Sequence, residues 1–242
     1  GKKWEMLFGQ FEHSLDEKGR LVIPSKLKAE LKNETTYTLF ILNSTGTALT
    51  HHEAVSGSEN PVAFEKKTNQ SWTLPNAYQG MTISSITVDG KKLGNNVAAL
   101  DMSSFTVGEH SMSVFGTKDS KLYELRVPVV VADVVVTNAA EFAAAVADTS
   151  GTADDQVYTE GYVALANDIT GVDATNASKG WKNGLKNFTF NGCGHTITVS
   201  GTYGDGGLFG QINQDSYIKN LKVIAPSFKE AWNLHVLAYG VN

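Results

Sequence analysis

The sequence predicts an all-β chain in two unlike parts, a sandwich followed by a solenoid, and three observations carry that reading. The first is a recurring motif: Leu185-Lys-Asn-Phe-Thr-Phe190 and Ile218-Lys-Asn-Leu-Lys-Val223 both read apolar-Lys-Asn-apolar-x-apolar. A short strand repeated at a long period (218 − 185 = 33) is the signature of coils that bury their faces only by stacking. The second is composition, since 23 glycines in 242 residues, with abundant Thr, Val and Asn, suit short strands joined by turns. The third is the stretch from Thr35 to Asp133, where alternating apolar segments are punctuated by turn residues.

Taken in chain order, residues 1–33 come first. Phe11-Glu-His-Ser-Leu15 and Arg20-Leu-Val-Ile23 flank the turn Asp16-Glu-Lys-Gly19, and Pro24-Ser25 opens a short helix with Leu27 and Leu31 on one face. Met6-Leu-Phe-Gly-Gln-Phe-Glu-His-Ser-Leu-Asp-Glu-Lys-Gly-Arg-Leu-Val-Ile-Pro-Ser-Lys-Leu27 resembles the opening of MraZ, a bacterial transcriptional regulator with AbrB-like swapped-hairpin folds. That family carries a second Asp-x-x-Gly-Arg signature, which this chain lacks, so residues 1–33 read as a hairpin-helix appendage.

Residues 34–133 read as the sandwich, with strands at Tyr37–Leu42, Thr47–His51, Val62–Glu65, Ser71–Leu74, Met81–Val88, Ser104–Val107, Glu109–Phe115 and Lys121–Val131. Tyr123, Leu125, Val127, Val129 and Val131 share one face, with Glu124 and Arg126 opposite. In Met81–Val88 the apolar phase flips at Ser84-Ser85, which predicts a bulge. The size and strand number are those of an Ig-like β-sandwich, without the antibody-type cysteine pair. Ile86-Thr-Val-Asp-Gly-Lys, Phe105-Thr-Val-Gly-Glu-His-Ser-Met and Tyr123-Glu-Leu-Arg-Val127 resemble bacterial Ig-like repeats of cell-surface proteins.

From residue 134 the linker is almost absent, and Thr137-Asn138 caps a helix carrying Ala140, Phe142, Ala143 and Val146. Coil strands follow at Tyr162–Ile169, Phe188–Val199 and Tyr217–Ile224. The helix, then Leu165-Ala-Asn-Asp-Ile169, Phe190-Asn-Gly-Cys-Gly-His-Thr-Ile197, Gly207-Leu-Phe-Gly210 and Ile218-Lys-Asn-Leu221, resembles the start of the right-handed parallel β-helices of bacterial surface and pectate-lyase-like proteins. Residues 225–242, with Phe228, Trp232, Leu234 and Tyr239, are expected to fold back as a cap or to pack on a second molecule, making dimerisation through the solenoid end a further expectation. The alternative is a coil strand with successors beyond it.

Charge and cysteine usage narrow the function classes. A net charge of −5 is poor for general nucleic-acid binding, which needs a basic surface. The single cysteine, Cys193, allows neither an intrachain disulfide nor a cysteine metal cage. No apolar run approaches a membrane span of about 20 residues. The start at Gly1-Lys-Lys reads as a secreted protein whose leader has been removed. Sequons at Asn33, Asn43, Asn69, Asn176 and Asn187 are expected by chance in an Asn- and Thr-rich chain.

Candidate chemistry is sparse. Asn187 and Asn220 hold equivalent places in the repeat and are expected to form a structural amide ladder. His195 lacks a carboxylate at an informative spacing, and Cys193 reads as a small buried residue. Asp154, Asp155, Asp168, Asp173 and Asp205, with Lys179, Lys182 and Lys186, are the residues a Ca²⁺-dependent polysaccharide lyase would use. His51-His52 point to opposite strand faces, and Gly204–Gly210 lacks the βαβ context of a dinucleotide loop. Trp72, Trp181 and Tyr203 are candidates for stacking on sugar rings. The expectation is therefore a non-catalytic, extracellular bacterial surface scaffold for adhesion or glycan contact, with no catalytic residue, metal or cofactor. Its partner is a glycan or a host or cell-surface protein rather than nucleic acid. A DNA-binding regulator and a polysaccharide lyase fragment are the alternatives.

Overall fold

The computed structural model describes residues 53–146, 158–173, 184–200, 208–209, 211–212, 215–225 and 240–241, together with one short strand pair nearer the N-terminus. The chain divides into two compact units, Gly1–Thr50 and His51–Asn242. In the first, β1 (Ile41–Leu42) pairs antiparallel with β2 (Ala48–Leu49), within the strands expected at Tyr37–Leu42 and Thr47–His51. The predicted hairpin and helix of residues 1–33 lie outside the described residues.

Among its described residues the second unit is broadly all-β, with one short α-helix. Its first part is a six-stranded mixed sheet built on the hairpin β7 (Gly108–Lys118) and β8 (Lys121–Ala132). Asp119 and Ser120 both take positive φ (50° and 61°), the twist-matching turn that a two-residue hairpin prefers. β5 (Thr82–Val88) lies antiparallel to β7, with a register shift between Ile83 and Ser85, where the apolar phase flips. Asp89-Gly90 then turns the chain into β6 (Lys91–Gly94). β3 (Glu53–Ser56) and β4 (Val62–Glu65) both run parallel to β8, one after the other along it.

The strands predicted at Ser71–Leu74 and Ser104–Val107 do not form. Among the described residues the apolar face of this sheet is covered by irregular chain, pinned by the bridge Gln70↔Leu100. Trp72, Leu100, Met102 and Phe105 from that chain pack with Ile86, Met112, Val114, Leu125, Val127, Val129 and Val131. Side-chain insertion, rather than a second ladder, buries the face there, which is why β-propensity misreads the segment.

β9 (Val134–Val136) follows β8 after a single residue, as the near absence of a linker predicts. The helix α1 (Ala139–Val146) begins as the sequence implies: Asn138 Oδ1 accepts the Glu141 N–H at 2.9 Å, while Glu141 Oε2 accepts the Thr137 N–H and hydroxyl. This reciprocal arrangement satisfies helix-start donors that would otherwise lack partners.

Two parallel sheets follow. One contains β9, β10 (Tyr158–Leu165), β12 (Gly184–Asn191), β14 (Gln211–Ile212), β15 (Tyr217–Lys219) and β17 (Gly240–Val241). The other is β11 (Ile169–Asp173), β13 (Thr196–Ser200) and β16 (Lys222–Ile224). The long strands expected at Phe188–Val199 and Tyr217–Ile224 are therefore each two strands around a corner. Cys193, Gly194 and Asn220 make those corners in the left-handed region, at φ of 51°, 81° and 52°.

Parallel partners recur at a shorter period than the sequence motif. Val134 pairs with Val163, Val163 with Phe190 and Phe190 with Ile218. Ile218 thus stands beside Phe190 and not beside Leu185, so the motif spacing is not the structural repeat. Close approach at the corner sets this register: a Cβ on Gly192 would lie 2.5 Å from the Asn220 carbonyl oxygen. Gly240 pairs with Gln211 and Val241 with Ile212, so this described piece of the C-terminal stretch adds a parallel strand to the sheet instead of folding across it.

Both parallel sheets and α1 face one core. Phe142 from α1, Phe190 and Phe209 meet edge-on or tilted, with centroids 5.1 to 5.6 Å apart, among Leu165, Leu185, Phe188 and Ile197. A smaller cluster joins the two parts of the unit: Val130 and Ala132, on β8, meet Ala164 and Cys193.

Candidate functional site: a groove on the outer face of the parallel sheet

Side chains alternate along a strand, so where Val163, Phe190 and Ile218 point to the core, their predecessors point outward. Those predecessors are Tyr162, Thr189 and Tyr217, which the register sets side by side on three neighbouring strands. They line a groove of about 510 Å³ with Ser216 and Lys219, and with Ile212 and Ile218, which also pack against the core. Tyr217 is 62% exposed, unusual for a residue of its size with an apolar ring.

The polar end of the groove is tied to the mixed sheet. Lys219 Nζ donates to Glu109 Oε1 at 2.8 Å and lies over the Tyr162 ring, 5.8 Å from its centroid. The Glu109 hydrogen bond raises the Lys219 pKa; burial opposes it, and the Tyr162 interaction adds to it. Beneath Tyr162 lies a buried amide network. Asn191, fully buried, donates to the Tyr162 hydroxyl at 3.2 Å and accepts from the Cys193 N–H at 3.0 Å and from Asn220 Nδ2 at 3.2 Å. Both polar atoms of that side chain are used, as burial requires.

This network relocates the expected asparagine ladder. Asn220 bonds to Asn191, while Asn187 sits at a bulge with φ of 49° and donates to Glu160. The register that sets Phe190 beside Ile218 is what separates Asn187 from Asn220. The sequence does carry a signal for the true pair, since Asn191 follows the inward Phe190 and Asn220 lies just beyond the inward Ile218.

The other candidate residues are dispersed. Trp72 is buried in the mixed-sheet core, 9% exposed, and is not a stacking surface. Trp181, Tyr203, His51, His52, Asp154, Asp155, Asp205, Lys179 and Lys182 lie outside the described residues. Asp173 ends β11 and Lys186 lies within β12, on different sheets. Cys193 is buried, and burial pushes its thiol up to about 12, which removes the thiolate a nucleophile needs. His195, read as lacking a carboxylate, has one: Asp168 Oδ1 lies 3.4 Å from Nδ1 and also accepts the Thr196 N–H at 2.8 Å. Parallel pairing of β11 with β13 brings together what spacing along the chain conceals. A second histidine–carboxylate pair, His110 with Asp89 at 2.6 Å, fastens the β5–β6 turn, and His110 Nε2 lies 2.8 Å from the Thr106 carbonyl oxygen. Among the described residues no group of three or more His, Cys, Asp or Glu is arranged to hold a metal ion, and no helix is long and apolar enough to cross a membrane.

A family model described as "MraZ protein, putative antitoxin-like" matches residues 6–45, a span that contains the stretch Met6–Leu27 likened to that family above. No curated protein and no solved structure matches this sequence.

Proposed function

We propose that the second unit is a non-catalytic scaffold of the bacterial cell exterior that contacts glycans through its outer groove. In this reading the mixed sheet, with the irregular chain that covers it among the described residues, is a variant of the Ig-like β-sandwich, and residues 134–242 are the first coils of a right-handed parallel β-helix capped by α1. Near-constant offsets between parallel partners in two sheets around one core support the solenoid reading. The observation that carries the glycan reading is the row Tyr162, Thr189 and Tyr217, two rings flanking a hydroxyl on adjacent strands, with Tyr217 open to solvent. Aromatic faces stack on the apolar side of sugar rings while hydroxyls and amines serve the rim. Retention of the full chain on insoluble bacterial and plant polysaccharides, compared with Tyr217→Ala, tests this. Equal retention of both proteins, or of neither, sinks the reading.

A second reading, a DNA-binding regulator, rests on the match of residues 6–45 to the MraZ family. An electrophoretic mobility shift on promoter-length duplex at physiological salt tests it, and binding only at low salt counts against it.

A further inference from the structure

We infer that the groove selects neutral, hydroxyl-rich oligosaccharides over acidic ones, because its cation is already neutralised by a carboxylate from the other sheet. This rests on the glycan reading above and specifies its ligand class. Among the described lining residues Lys219 is the single charged group. Its ammonium is held 2.8 Å from Glu109 Oε1, with 39% of the Lys219 side chain and 60% of the Glu109 side chain exposed. An incoming uronate carboxylate would have to share Lys219 with Glu109 and would meet Glu109 as a like charge, which disfavours it. A sugar hydroxyl suffers neither penalty, because it can accept from the ammonium and donate to the carboxylate at once. The rest of the floor fits the same ligand: Thr189 carries a hydroxyl, and Tyr217 offers an open ring on the far side of Thr189 from Tyr162. Asn191 fixes the Tyr162 hydroxyl from below and acts as a positioning residue for that side of the groove.

The test is isothermal titration of the full chain with cellohexaose, mannohexaose and hexagalacturonate at matched ionic strength. Tighter binding of a neutral hexaose than of hexagalacturonate is expected, with Tyr217→Ala weakening it about tenfold through lost stacking. Glu109→Gln removes the competing carboxylate and is expected to tighten hexagalacturonate roughly threefold while leaving the neutral hexaose within that range. Hexagalacturonate binding more tightly than both neutral sugars overturns the selectivity inference and leaves the glycan reading standing. Neutral binding undiminished in Tyr217→Ala places the sugar elsewhere and overturns the inference. No heat from any hexaose at millimolar concentration overturns both.

Discussion

Replacing Phe190 with alanine probes the core between the parallel sheets where strand pairing and aromatic contacts meet. Phe190 is fully buried and pairs in register with Val163 on one side and Ile218 on the other. Its ring also lies 5.6 Å from Phe142 of α1 and 5.1 Å from Phe209. Truncating a buried phenylalanine costs about 3–5 kcal/mol, the sum of lost transfer free energy and an unfilled cavity. The cavity here is bounded by hydrogen-bonded strands on both sides, so it has little room to collapse, and the upper half of that range is expected. Each aromatic pair lost adds roughly 0.5–1.5 kcal/mol beyond area burial, already contained in that range. Phe190→Leu refills much of the space and is expected to cost about 1–1.5 kcal/mol. Urea unfolding followed by far-ultraviolet circular dichroism, with hydrogen exchange at the β12 amides, reads both variants. A cost below about 1 kcal/mol for Phe190→Ala would mean that Phe190 is not in the packed interior, and the pairing of Phe190 with Ile218 would fall with it.

Other consequences follow from the corners, the amide network and the turn clamps. Asn191→Ala removes the acceptor of the Cys193 N–H and of Asn220 Nδ2 and the donor to the Tyr162 hydroxyl, and is expected to cost about 1–3 kcal/mol, more than Asn220→Gly, which keeps the left-handed corner; equal melting losses would refute the network's geometry. Gly192→Ala pushes a methyl into the Asn220 carbonyl and is expected to lower the melting temperature by several degrees, whereas an unchanged melt would deny the close corner packing. Burial pushes the Asp89 carboxyl up, but hydrogen bonds from His110 and the Ser111 N–H, with the His110 charge, outweigh it and hold the pKa below its usual 3.8. A lowered folded-state value stabilises above the unfolded pKa and is lost as pH falls through the folded one, so Asp89→Asn should lower the melt at neutral pH by a margin that shrinks below about pH 4; a constant margin would contradict the assignment. With its thiol pushed up to about 12 by burial, Cys193 should resist a thiol-specific disulfide reagent at mildly alkaline pH until denaturant is added, and rapid native labelling would place it at the surface.

The features readable from sequence are those whose physics closes within a few residues. The capping of α1 at Thr137-Asn138, the bulge at Ser84-Ser85 and the burial of Leu125, Val127, Val129 and Val131 on one shared face are all local signals. Propensity and alternation read them because neighbours along the chain are also neighbours in space. Parallel pairing of distant strands was legible in kind, since a motif at long period demands stacking, but not in register. Register is set where corners touch: Gly192 packs against Asn220 and Leu221, so the outward row became Tyr162, Thr189 and Tyr217, and the buried amide became Asn191 instead of Asn187. The same pairing put Asp168 beside His195, while the contact of the two parts of the unit brought Glu109 of the mixed sheet to the distant Lys219. Trp72 illustrates the converse: read as a strand residue and a candidate for stacking on sugar rings, it is drawn inside by the apolar face of the mixed sheet. Composition and periodicity determined that this chain is built of short strands, paired over long distances. Contacts between residues one strand or one sheet apart, which no local pattern encodes, decided which side chains share the groove.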